Sequence, residues 1–353
     1  MLRLIYHKKP KQNNQGGTFN LCNKNNIELN KNQDDEEIEI LVDTTRFGEV
    51  RPWQEKKLNS LKLAESYYRL GYEKKAHRVR FCGSNLTYKI NIADGSKTLY
   101  SADFCKVRLC TMCAWRRSLK TFGQVSKVMD VLCGIKKYNF LFLTLTVKNC
   151  NAEQLSGEID KLFHGYTKLM KRRNINKIVK GWFRALEVTH NTNRHSKSYD
   201  TYHPHFHVIL QVNPSYFKGK DYIKHNDWIK LWCDVMNLDY DPEVYIEKAK
   251  SKNISGAVAE IAKYTVKDKD YIIEHDQNLT DESVKTLDAA LHGRRLTAFG
   301  GMMKEIHKEL NLDDTENGDL IHTDNDDIER EDLASVLINY HWNIGLSNYV
   351  RIK

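Results

Sequence analysis

The chain has 353 residues, 41% hydrophobic and 29% charged, with a formal net charge of +9; this is enough apolar content to bury a core without disulfides, in one large domain or two ordinary ones. No run of about 18 apolar residues occurs, and the opening MLRLIYHKKPKQNNQGG lacks a secretory signal's apolar stretch, which points away from a membrane or exported protein and towards a cytoplasmic one. The positive balance favours a polyanionic partner, and in a reducing compartment the eight cysteines are thiols or metal ligands.

Residues 1–50 are rich in Asn, Gln and Lys and turn acidic at DDEEIEI. Such a composition buries too little surface to offset chain entropy, so a disordered polar tail is expected. Leu58, Leu61, Ala64 and Tyr68 then recur at helical spacing, with Gly71 as a stop. Cys105, Cys110 and Cys113 in FCKVRLCTMCAWRRS include a C-x-x-C, and Cys82 in RFCGS completes a tetrahedral set of the kind structural zinc prefers. A C-x-x-C also serves redox chemistry; a redox pair needs no two further cysteines upstream, which favours zinc. Arg116 and Arg117 follow at once and are candidate phosphate contacts, or else a solvated face. Residues 51–125 thus read as a helical, cysteine-rich region for zinc and DNA.

TFGQVSKVMDVL is helical in pattern, and Tyr138–Val147 is an aromatic and β-branched run suited to a strand buried on both faces. A helix follows with Leu155, Ile159, Leu162, Tyr166 and Leu169 on one stripe, then the strand GWFRALEVTH, the polar loop NTNRHSKSYD and the strand YHPHFHVIL. That order predicts an α+β fold, an antiparallel or mixed sheet with helices on one face. Farther on come a helix in NDWIKLWCDVMNL, a short strand in DPEVYIEKAK and a helix over residues 255–274. HGRRLTAFGG adds the basic candidates Arg294 and Arg295, and residues 313–332 are acidic enough for a solvated linker. The expected division is a main domain at 126–310 and an acidic linker with a C-terminal segment at 311–353.

Side chains alternate along a strand, so His205 and His207 share one face while Phe206 and Val208 point into a core. Two imidazoles can hold a divalent ion if a third ligand comes from a neighbouring strand. Glu187 is the natural donor, because the short polar loop makes its strand the antiparallel neighbour. His203 lies on the same side beyond Pro204 and is ranked as a supporting group or substrate contact. The plain alternative is a set of surface histidines on an edge strand.

In AVAEIAKYTVKDKDY, Val258, Ile261, Ala262 and Thr265 form an apolar stripe, while Glu260, Tyr264 and Lys267 fall on the other side. A nucleophilic phenol needs positive charge nearby, which a metal and Lys263 or Lys267 would supply. Glu260, one turn away, is placed to take a proton. Taken alone, a Glu and a Tyr at this spacing recur by chance in many helices.

Together and in this order, FLTLTVKN, HPHFHVIL and EIAKYTVKDKDY resemble the replication initiators of Gram-positive rolling-circle plasmids, within the single-tyrosine family whose Glu precedes its Tyr by one helical turn. The likeness spans roughly Cys82 to Lys308. It implies a ferredoxin-like endonuclease core with flanking helices, His205 and His207 as the histidine–hydrophobic–histidine motif for Mg²⁺ or Mn²⁺, and Tyr264 as nicking nucleophile. Glu260 would activate water for the terminating cut. Bacterial cytoplasm, origin DNA in single-stranded or hairpin form with Trp182 available for stacking, a host helicase and polymerase, and a homodimer as one open assembly follow from the same likeness. A relaxase, a single-tyrosine transposase, a non-catalytic zinc-containing regulator and a small-molecule metal hydrolase are the competing classes.

Overall fold

The charge-poor run around Leu141–Leu145 needs cover on both faces, and the fold supplies it. In the computed structural model, which describes residues 38–45, 47–135, 138–249, 266–323 and 334–352, this run is strand β3 (Asn139–Thr146) of a five-stranded sheet. The others are β4 (Val179–Asn191), β5 (Thr201–Val212), β6 (Val244–Lys248) and β7 (Thr297–Gly301), in the order β6-β3-β5-β4-β7, every pair antiparallel. A second antiparallel sheet, ordered β2-β1-β8-β9, joins β1 (Asn85–Asn91) and β2 (Lys97–Ala102) to β8 (Ser335–Asn343) and β9 (Asn348–Ile352). The α+β class is as expected.

Helices cover the larger sheet on both faces, correcting the one-face arrangement. Leu155, Ile159, Leu162, Tyr166 and Leu169 of α4 (Ala152–Lys171) are all buried, as is Trp232 of α6 (His225–Met236), on the side of Leu143, Phe206, Val208 and Leu210. Asn151 and Gln154 close a capping box at the start of α4. Gly165 lets α6 approach: a Cβ there would meet Met236 Sδ at 2.0 Å. On the opposite face Val125, Val128 and Leu132 of α3 (Thr111–Ile135) and Ile306 of α8 (Met302–Glu309) pack on Phe140, Phe142, Phe183 and Ile209. Because β5 has a two-residue period, the face bearing His205 and His207 is this second one.

Helix α1 (Trp53–Arg69) forms where expected, with Ala64 buried and Leu58 and Leu61 packed part-buried against the core, but the centre of its inward face lies one residue round from that stripe. Lys57, Ser60, Leu63, Ala64 and Tyr67 are buried, whereas Tyr68 is 69% exposed. Polar partners decide this: Lys57 Nζ donates to Arg80 O, Cys82 O and Ser84 Oγ, and Ser60 Oγ lies 2.8 Å from Thr111 Oγ1. Gly71, at φ +76°, ends the helix, with Gly71 N bonding Tyr68 O and Tyr72 N bonding Tyr67 O. Helix α2 (Glu73–Phe81) follows immediately.

Three stretches depart from expectation. Residues 38–45 and 47–50 are no polar tail: Leu41 N bonds Tyr349 O, Arg351 N bonds Glu39 O, and Asp43 accepts from Trp53 Nε1 and Tyr88 OH, so residues 39–41 cover the β9 edge. The acidic run is no solvated linker over 313–323: Glu316 is buried, pairs with Arg108, and accepts from Leu296 N and Thr297 N at the start of β7. The expected helix over 255–274 lies outside the described residues up to 265. From Val266 on it is not α-helical, because Lys267 is extended and its N–H bonds Asp270 Oδ2, opening a single 3-10 turn. Residues 1–37 lie outside the described residues. Helix α5 (Arg173–Ile178) links α4 to β4, and α7 (Gln277–Leu291) precedes β7.

Candidate metal centres and their surroundings

Strand register assembles the first centre. Glu187 of β4 stands opposite His205 of β5, while Thr146 and Thr144 of β3 stand opposite His205 and His207. His207 Nε2 lies 2.8 Å from Glu187 Oε2, His205 Nε2 lies 3.6 Å from the same oxygen, and the two Nε2 atoms are 3.2 Å apart. Cis ligands of an octahedral ion at about 2.1 Å sit roughly 3.0 Å apart, so these atoms fit one triangular face of such a site. The remote ring nitrogens are held as well: His205 Nδ1 is 3.0 Å from His203 O, and His207 Nδ1 is 3.3 Å from Thr144 Oγ1. Such contacts fix ring orientation. His203 therefore supports the site through its carbonyl, and its ring stacks on His205 at 5.0 Å.

The other oxygen of Glu187 is occupied: Lys267 Nζ lies 2.8 Å from Oε1. Burial opposes ionisation of this carboxyl, but hydrogen bonds from His205, His207 and Lys267 override it and hold the group well below the usual carboxylate range. Glu187 is thus an anion with Oε2 on the histidines and Oε1 clamped. His207 keeps 23% of its side chain open to solvent, so the centre has an accessible side.

The second centre is closed. Cys82 caps α2, Cys105 sits in the loop after β2, and Cys110 and Cys113 straddle the start of α3. Cys82 Sγ is 3.5 Å and Cys105 Sγ 3.8 Å from Cys113 Sγ, too far for disulfides and near the roughly 3.8 Å expected between sulfurs around tetrahedral zinc. Cys105 N and Lys106 N donate to Cys82 Sγ and Cys113 Sγ at 3.3 and 3.2 Å. The four sulfurs and the Glu187, His205 and His207 set are the two groups among the described residues whose ligand atoms converge as a metal would require. Buried Lys57, which no periodicity singled out, lies beside the cysteines, where its charge would offset a thiolate cluster.

Several expected residues are placed elsewhere. Tyr264, Glu260 and Lys263 lie outside the described residues. Arg116 does not reach phosphate: it is 1% exposed and donates to Leu320 O and Ile321 O, with Trp53 and Trp115 against its guanidinium. Arg117 donates to Lys106 O and Glu316 O, Arg294 pairs with Asp160, and Arg295 pairs with Asp314. Lys267 is engaged by Glu187. Trp182 corrects the stacking expectation, since it projects from the face opposite the histidines and packs edge-on to Tyr166 at 5.2 Å.

The family described as "Replication protein" matches residues 96–350. "Protein rep" of Bacillus amyloliquefaciens is 41% identical over 88% of this chain and 97% of that protein. "Protein rep" of Streptococcus pneumoniae serotype 2 is 39% identical over 90% and 96%, and "Replication protein" of Staphylococcus aureus is 42% identical over 61% and 92%. No solved structure matches the chain significantly.

Proposed function

This chain belongs to the replication-protein family, the Gram-positive plasmid Rep initiators, and from that premise we propose that it starts rolling-circle replication by nicking one strand of the origin. The observation that supports this reading is the convergence of Glu187, His205 and His207 on one partly open sheet face. Bound there, Mg²⁺ or Mn²⁺ supplies charge neutralisation at the scissile phosphate. Two imidazoles beside one carboxylate suit Mg²⁺, which takes oxygen ligands, less well than a softer divalent ion.

The chain's own residues do the rest. Tyr264 Oη forms the new bond to phosphorus and gives up its proton, and the 3′-oxygen leaves and is protonated, so one phosphodiester replaces another and no nucleotide cofactor is consumed. The free 3′-hydroxyl is then available to a host polymerase and helicase. Glu260 takes the proton of the water that makes the terminating cut. The cysteine centre holds structural zinc.

The test is covalent capture. Full-length protein incubated with Mn²⁺ and a labelled single-stranded origin oligonucleotide should give an adduct that survives denaturing electrophoresis, lost in Tyr264→Phe. An adduct undiminished in that variant overturns the assignment, and no adduct from the wild type favours a non-catalytic zinc-containing DNA-binding regulator.

A further inference from the structure

The net charge of +9 must be presented somewhere, and the described basic residues expected on DNA do not present it. Arg116, Arg117, Lys267, Arg294 and Arg295 all hold protein partners. Helix α2 differs. Its nine residues EKKAHRVRF carry Lys74, Lys75, Arg78 and Arg80 against Glu73 alone. Lys74, His77, Arg78 and Phe81 follow at i, i+3, i+4 and i+7, Arg80 flanks this stripe beside His77, and all five are exposed, while Ala76 and Val79 are buried behind them. Lys75 pairs with Asp288 and Arg78 donates to Cys105 O; among the described residues, Lys74, Arg78 and Arg80 have no carboxylate within ion-pair distance.

Two further observations give this face a partner. The turn Leu70–Tyr72, closed by Gly71 at φ +76°, makes α1 and α2 a helix-turn-helix pair with the basic helix second. The cleft on the other side of Arg78 carries mixed charge, with Asp288 and Glu316 among its basic residues, so the unpaired cations are those of α2 itself. Nine residues span about 13 Å of helix, and a B-DNA major groove is about 12 Å wide. Phe81, 52% exposed and stacked on His77 at 4.7 Å, offers an apolar contact of the kind thymine methyls accept. Helices that lie in a major groove present cations to duplex phosphates, whereas single-strand binders combine a basic groove with a row of stacking aromatics, and the groove between α1 and α2 offers Tyr68 with no second Phe, Tyr or Trp.

We infer that the exposed face of α2 is a duplex-DNA contact, made by residues none of which belongs to the Glu187, His205 and His207 centre. It rests on the proposed function only for the identity of the polyanion. The zinc knot would hold it in place, since Cys82 caps the same helix.

The test compares wild type, Lys74→Ala/Arg80→Ala and the charge-conserving Lys74→Arg/Arg80→Lys. The probes are a labelled random-sequence duplex of about 30 base pairs, roughly three helical turns, and one strand of it alone. Zinc content and melting temperature serve as folding controls. The alanine pair should weaken duplex binding roughly ten- to thirtyfold and reduce the slope of log affinity against log salt by about 1.8, two phosphate contacts' worth. The conservative pair should bind as wild type, and single-strand binding should change far less. Unchanged duplex affinity and slope overturn the inference. So does equal loss on both probes, which would put α2 on the single-strand path. Adduct formation by wild type reports separately: an adduct without α2-dependent duplex binding overturns only this contact, and the reverse result overturns only the nicking reading.

Discussion

Around Cys110 and Cys113 the chain buries its sulfurs completely, whereas at His207 nearly a quarter of the side chain, 23%, stays open. The cysteines come from a helix cap, an irregular loop and a helix start, segments with no ladder of their own to hold them together. Lys106, between two of the ligands, even adopts left-handed backbone at φ +58°, a conformation that costs a non-glycine residue energy. Glu187, His205 and His207, in contrast, sit on adjacent strands whose pairing runs on for several residues either side. A closed centre that organises its surroundings and an open centre organised by them are suited to different work: on the proposed reading the first would hold shape and the second would keep a face for substrate.

The sharpest way to break this contrast is to remove one ligand from each centre. Cys113→Ser leaves the buried Cys82 and Cys110 and the part-buried Cys105 without a fourth ligand and should lose the proposed zinc with at least about 3 kcal/mol of stability, read by metal analysis and urea unfolding. Wild-type metal content and midpoint would end the zinc assignment. His207→Ala should do the reverse. The sheet keeps its ladder, so stability should move by less than about 1.5 kcal/mol, while adduct formation should fall at least about a hundredfold. A stability loss matching that of Cys113→Ser would make the open centre structural too.

How far these centres were legible in the sequence follows from the range of the signals. Alternation along YHPHFHVIL places His205 and His207 together, and a short loop places Glu187 opposite; both are local. The cysteine spacing is also local. What escapes is set by distant partners. Burial of Glu316 depends on Arg108 and the start of β7, and the docking of residues 39–41 depends on β9. Arg184, in mid-strand, is 7% exposed with its guanidinium over Phe163, Phe206 and Tyr166, rings brought in from α4 and β5. The offset of the inward face of α1 from its apolar stripe has the same cause, since Lys57 and Ser60 are drawn inward by carbonyls and hydroxyls that periodicity does not register.

Lys267 makes the finest distinction. Its ammonium takes Glu187 Oε1, leaving Oε2 towards His205 and His207, so on the proposed reading it would act as a positioning residue that decides which oxygen faces a bound ion. A lysine needed for phosphate and a lysine needed to orient a ligand predict different kinetics. Lys267→Met frees Oε1, lets the carboxylate rotate, and should raise the Mn²⁺ concentration for half-maximal adduct formation roughly ten- to a hundredfold, with the rate at saturating metal nearly preserved. If Lys267 instead contacts phosphate, the metal requirement stays where it is and oligonucleotide affinity falls. A titration of adduct yield against Mn²⁺ at two oligonucleotide concentrations separates the cases, because only a metal-centred defect is rescued by metal and not by DNA.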